Sequence, residues 1–230
     1  MISDNVTRIK DRIAAICQTI GRNPQDITLV AVTKFASIEK IKEAIAAGIT
    51  HIAENKVQEG QHKYALVDKA GKKVTCHLIG HLQTNKAKDA LKIFDLIQSV
   101  DSLKLAHEID KQTAKLGRTA EILVQVNTSG EAQKYGCPPQ EAIRLIEAIL
   151  TLGNVRIKGL MTMAPLTEDE KRVAATFSGL RKIQDQAKKQ FQGQNNFTPQ
   201  YLSMGMSQDF EIALKEGANM LRIGSAIFKE

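Results

Sequence analysis

Ile27-Thr28-Leu29-Val30-Ala31-Val32-Thr33 is apolar almost throughout and runs straight into Lys34. Such a run reads as a strand buried on both faces, the kind found in parallel sheets covered by helices. The residues before it support that reading. Val6, Ile9, Ile13, Ile16 and Ile20 recur at spacings of three and four, which gives a helix one apolar face. Ser3 or Asp4 can cap that helix, and Gly21 can end it.

Downstream the same alternation continues. Strand patterns lie near 49–53, 74–79, 96–99, 120–126, 155–160, 199–203 and 219–223. Helical patterns lie near 37–47, 56–69, 84–93, 102–116, 139–150, 168–189 and 208–216. Gln190 to Gln200 reads as a loop. The count is eight strands and eight helices, with a helix first and a strand last. This predicts an α/β fold, a single-domain (β/α)8 TIM barrel over residues 1–230 with an extra N-terminal helix. That helix can pack where a helix after the eighth strand would otherwise sit. An open doubly wound sheet is the alternative, but no Gly-x-Gly-x-x-Gly follows the first strand.

Composition narrows the function. Apolar residues are 43% and charged residues 25% of 230, as in a soluble globular protein. No segment reaches the roughly 18 apolar residues of a membrane span, and the N-terminus lacks a secretory pattern. Cys17, Cys76 and Cys137 are few and far apart, which suits a reducing cytosol and predicts no metal site. The expected location is the cytoplasm. The net charge of +7 is scattered along the chain, and aromatics are only 4%. Charge alone licenses only non-specific binding, so neither a nucleic acid nor a membrane is an expected partner.

In β/α barrels the functional groups sit at the C-terminal ends of the strands and in the loops that follow. Lys34 ends the first strand. A lysine buried there loses hydration, its ammonium is disfavoured, and the neutral amine can attack an aldehyde. Ser203-Met204-Gly205-Met206-Ser207 follows the seventh strand, with Ser207 able to cap a helix from Gln208. Arg222-Ile223-Gly224-Ser225 follows the eighth, and its arginine offers donors to a phosphate or a ring nitrogen. These two loops fall where barrels often build a phosphate site, and closure brings the first strand beside them. An amine beside a phosphate cradle is what an aldehyde-bearing phosphate cofactor requires. Asn55 after the second strand and His81 after the third can line the mouth. Met161 and Met163 can pack on a flat ring, although core packing explains them as well.

Several blocks together carry a resemblance. They are Val30-Ala31-Val32-Thr33-Lys34, Glu54-Asn55-Lys56-Val57-Gln58-Glu59 and His77-Leu78-Ile79-Gly80-His81-Leu82-Gln83-Thr84-Asn85-Lys86. Further blocks are Ser99-Val100-Asp101-Ser102, Ser203-Met204-Gly205-Met206-Ser207-Gln208-Asp209 and Arg222-Ile223-Gly224-Ser225-Ala226-Ile227-Phe228. In this order, over essentially the whole chain, the sequence resembles the YggS/PROSC family of pyridoxal phosphate homeostasis proteins. The resemblance implies a fold-type III barrel like the N-terminal domain of alanine racemase. It implies a Schiff base between pyridoxal 5′-phosphate and Lys34. It also implies that Ser203, Gly205, Arg222, Gly224 and Ser225 surround phosphate and ring, with Asn55 nearby. Met204, His81 and Met161 complete the expected set. Such proteins are linked to vitamin B6 and amino-acid balance, often as monomers, without established turnover. Two positions depart from the family pattern. Ala53 stands where Gly is usual, which can shift the second turn, and Cys76 stands where Trp is usual, which changes local packing.

A racemase needs a second base on the opposite cofactor face, and related racemases take it from an additional β domain. The chain ends at Glu230, shortly after Gly224, so no such domain is expected. The expected role is therefore a cofactor-holding protein, with apo enzymes that use this cofactor or a regulatory protein as partners. A weak amino-acid racemase is the alternative, and a phosphate-binding barrel enzyme without the cofactor is the third reading.

Overall fold

The computed structural model describes residues 1–67 and 74–229. Its centre is a set of parallel strands: β1 (Thr28–Val32), β2 (His51–Glu54), β3 (Thr75–Leu78), β4 (Leu96–Val100), β5 (Ala120–Gln125), β6 (Val155–Met161), β7 (Phe197–Ser203) and β8 (Met220–Ile223). Each pairs with the next, and β8 pairs with β1 through Leu29↔Leu221 and Ala31↔Ile223, which closes the barrel. The helices are α1 (Ile2–Thr19), α2 (Ile38–Ala46), α3 (Val57–Leu66), α4 (Ala87–Ile93), α5 (Leu103–Lys115), α6 (Ala142–Leu150), α7 (Glu170–Gln190), α8 (Phe210–Lys215) and α9 (Ser225–Phe228). The fold is the expected (β/α)8 barrel.

Alternation along the strands builds two cores. Val30 and Val32 point inward and meet Ala53, Leu96, Leu123, Met161 and Met220 inside the barrel. Ala31, Ile52, Leu78 and Ile122 point outward against helical residues such as Ile41, Ile109, Phe177 and Phe210. Phe177 is fully buried, and such burial stabilises by roughly 1.5–3 kcal/mol. Val6, Ile9, Ile13 and Cys17 form the buried face of α1, which packs on α2, α8 and α9. The N-terminal helix therefore closes the helical ring between α8 and α2.

Several local expectations are corrected. Neither Ser3 nor Asp4 caps α1, because the helix already starts at Ile2, and Asp4 instead pairs with the N-terminal amine at 3.3 Å. Gly21 does follow the end of α1. Pattern-reading ends the chain on a strand, but α9 follows β8. The helical pattern at 84–93 opens with a 3₁₀ turn, Thr84–Lys86, before α4. Of the pattern at 56–69, residues 68–69 lie outside the described residues. Register is continuous through Ala53, which pairs with Val32 on one side and His77 on the other. Cys76 is buried in the outer core.

Candidate functional site

The C-terminal end of β1 is tied down by α3. Glu54 at the end of β2 is fully buried, and Lys63 of α3 meets its Oε1 at 2.8 Å. A buried carboxylate needs such a partner, since an unpaired one costs several kcal/mol. The same ammonium donates to the carbonyl oxygens of Thr33 (2.8 Å) and Lys34 (3.2 Å). The Thr33 hydroxyl lies 2.8 Å from Glu54 Oε1 and 3.2 Å from the Tyr64 hydroxyl. The backbone carrying Lys34 is therefore clamped. Its side chain is not buried, contrary to expectation: Lys34 lies just past the strand, is exposed, and has its Nζ 5.1 Å from the ring centre of exposed Phe35. Water reaches this amine.

Lys34 opens onto a cavity of about 520 Å³, shared with Asn55, Met163, Ser207, Arg222, Gly224 and Ser225. Asn55 is set by a close backbone approach. A Cβ on Gly80 would lie 2.0 Å from the Asn55 carbonyl oxygen, so only glycine lets the loops after β2 and β3 pack this tightly. Asn55 Oδ1 is buried and has no hydrogen-bond partner among the described residues. Buried polar atoms are rarely left this way, so the atom asks for a donor from a bound group.

Arg222 of β8 is almost wholly buried. It donates through Nη1 to Ser203 Oγ at 2.7 Å and through Nη2 to the Thr162 carbonyl at 2.8 Å. Burial pushes its guanidinium down to about 10, with Asp209 opposing, so it remains cationic at neutral pH. The loops after β7 and β8 are joined by the Ser207 hydroxyl, which accepts from the Ala226 N–H at 3.3 Å. Ser207 is therefore not the expected N-cap. The helix α8 starts at Phe210, with Asp209 before it. The helix that opens on the cavity is α9, with Gly224 as its N-cap.

The expected residues thus divide. Lys34, Asn55, Arg222, Gly224 and Ser225 share the cavity. Ser203 sits behind it, fully buried, donating to Gln98 Oε1 at 2.6 Å and accepting from Arg222. Met204 is buried in the outer core. Gly205 has φ of +94°, and a Cβ there would lie 2.6 Å from the Ala213 Cβ, so it serves the packing of α8. Met161 lies inside the barrel, whereas Met163 lines the cavity. His81 stands elsewhere on the mouth, stacked on Tyr135 at 4.2 Å with its Nδ1 3.7 Å from Asp101 Oδ2. Pattern-reading missed Lys63 and Gln98. A glutamine amid the buried run Leu96–Val100 was the available signal for the second.

A family model described as alanine racemase, N-terminal domain, matches residues 5–230. A pyridoxal phosphate homeostasis protein of Aquifex aeolicus is 37% identical over 227 residues, covering 99% of this chain and 97% of that protein. One of Pseudomonas aeruginosa is 36% identical, covering 99% and 94%. The chain belongs to the pyridoxal phosphate homeostasis protein family. Among solved structures, PipY of Synechococcus elongatus with pyridoxal phosphate bound is 32% identical, with a TM-score of 0.85 over 99% of this chain and 100% of that one. An alanine racemase of Clostridium difficile has a TM-score of 0.76 at 16% identity over 99% of this chain and 57% of that one, a likeness of fold alone. This homeostasis family therefore shares its barrel with enzymes, and cavity chemistry must separate the two roles.

Proposed function

We propose that the protein binds pyridoxal 5′-phosphate in the cavity at the end of β1, as a Schiff base on Lys34, and serves vitamin B6 and amino-acid homeostasis without turnover. The observation that carries this reading is one cavity holding an accessible amine, a buried cation and the unpartnered Asn55 Oδ1. When bound, the cofactor supplies an aldehyde that an amine captures covalently. The rest is work of this chain. The Lys63 clamp holds the Lys34 backbone still. Arg222 presents fixed positive charge, and the start of α9 offers Gly224 and Ser225 to a phosphate. Asn55 orients the group through its free oxygen, and Met163 offers an apolar contact.

Two features favour holding over catalysis. Among the described residues, the ionisable side chains lining the cavity are Lys34, Arg222 and Lys229. No carboxylate, histidine or tyrosine joins them to move a proton across the opposite face of a substrate. The exposure of Lys34 also lets water reach the amine, which suits release to apo enzymes or a regulatory partner. We place this activity in the cytoplasm and in a monomer. Among the described residues no helix is long and apolar enough to cross a membrane. The test is spectroscopic and kinetic together. Purified protein is expected to be yellow, Lys34→Ala colourless, and neither to interconvert L- and D-amino acids. Racemisation abolished by Lys34→Ala would establish an enzyme instead.

A further inference from the structure

One polar path runs through the barrel interior. It starts at Arg222, next to the end of β8, and reaches His51, the first residue of β2. Arg222 Nη1 donates to Ser203 Oγ at 2.7 Å, and Ser203 Oγ donates to Gln98 Oε1 at 2.6 Å. Gln98 Nε2 lies 2.9 Å from His77 Nδ1, and His77 Nε2 lies 2.9 Å from His51 Nδ1. Ser203, Gln98 and His77 are fully buried.

Donor chemistry gives the path one direction. A guanidinium has no acceptor, so Ser203 must accept from it and spend its own proton on Gln98 Oε1. That turns the amide nitrogen of Gln98 toward His77. Its second hydrogen is taken by Met220 Sδ at 3.3 Å. His77 Nδ1 must then be bare and accept, so His77 carries its proton on Nε2 and donates to His51 Nδ1. Burial pushes His77 down to about 3, which keeps it a neutral ring. Each bond thus depends on the one before it, and such chains polarise cooperatively.

We infer that Gln98 and His77 are positioning residues for the cofactor site, acting through Ser203 to hold the Arg222 guanidinium in one orientation. The inference rests on the reading that Arg222 faces bound pyridoxal phosphate. An apolar residue at position 98 would fill the same interior, as Leu96 and Leu123 do, but it would leave Ser203 without its acceptor. Arg222 would then lose the hydroxyl orientation that fixes it.

The test is nitrogen-15 NMR of the full chain with labelled histidine rings, with and without added pyridoxal phosphate, alongside spectral titration of binding. Wild type is expected to show His77 as the Nε2–H tautomer, and its ring signals are expected to move when the cofactor is added. Gln98→Glu keeps an acceptor for Ser203 but opposes an acceptor to His77 Nδ1, so it is expected to move the His77 proton to Nδ1. Gln98→Met removes both neutral bonds, so Ser203 no longer holds the guanidinium in one orientation, and cofactor binding is expected to weaken about tenfold. A core-filling role for Gln98 predicts no cofactor response at His77. A wild-type His77 in the Nδ1–H form, a ring deaf to the cofactor, or wild-type affinity in both folded variants overturns the inference. The wild-type spectra decide the matter even if the variants do not fold. Wild type that binds no pyridoxal phosphate defeats the cofactor reading itself, while the His77 tautomer still judges the path.

Discussion

The two sides of the barrel mouth hold similar residues and treat them differently. On the side of β3, β4 and β5, His81 stacks on Tyr135 and faces Asp101, and Asn127 Nδ2 donates to the carbonyls of Glu131 (2.9 Å) and Lys134 (3.2 Å). Asn127 and its own loop satisfy one another, while Ser99 Oγ of β4 is buried without a partner among the described residues. On the side of β8, β1 and β2, Asn55 Oδ1 is buried without a partner, Arg222 borders the cavity, and Lys34 is exposed above it. A self-satisfied cluster stabilises loops. Asn55 differs from Ser99 in lining a cavity beside an accessible amine and a buried cation, where a bound group can supply the missing donor.

Substitutions can break that contrast. The largest effect is expected at Lys34→Ala, which abolishes covalent cofactor capture yet shifts urea-unfolding stability by less than about 0.5 kcal/mol, since the side chain is exposed. Next comes Glu54→Ala, which takes the buried carboxylate from Lys63 and the Thr33 hydroxyl and leaves Lys63 with Glu59 at 3.4 Å and the carbonyls of Thr33 and Lys34. It is expected to cost about 1–3 kcal/mol in the same measurement, the loss of buried bonds to a charged group. Asn55→Ala removes the orphan acceptor, so binding of pyridoxal phosphate weakens about tenfold in a spectral titration while apo stability does not fall. The smallest effect is expected at His81→Ala, with unchanged cofactor affinity and a stability change within about 0.5 kcal/mol, because its neighbours are on the other side. Equal losses of affinity at Asn55 and His81 would erase the distinction between the two sides.

Acidity probes the interior beneath them. His77 is held below its ordinary 6.5, to about 3, because burial disfavours the imidazolium. Between those values the unfolded chain binds a proton that the folded chain does not. His77 therefore contributes stability that is present above pH 6.5 and is lost as pH falls toward 3. His77→Gln is expected to flatten the pH slope of unfolding free energy in that window.

How much of this was legible from sequence follows from the range of each interaction. The apolar run of β1 and the helical face of α1 are local patterns, and both read correctly. The closeness of Lys34 to the loops after β7 and β8 required only barrel closure. Its exposure was not legible, because the strand stops at Val32 and the turn that follows aims Lys34 outward. Met161 ends β6, whose register to β7 shifts between Ile157 and Gly159, and Met163 lies two residues beyond the strand. Sequence could not say which one meets the cavity. Ser203 and Gln98 are 105 residues apart, and His81 meets Tyr135 across two loops, so only the assembled barrel reveals either partner. Ala53 keeps its place in the register, opposite Val32 and His77.

The central claim is that Lys34 is the amine that holds the cofactor. Borohydride reduction of the yellow protein, followed by peptide mass mapping, tests it most directly. The account predicts a single pyridoxyl-phosphate label on Lys34 and none in Lys34→Ala. A label on another lysine, or undiminished labelling of the variant, would contradict it.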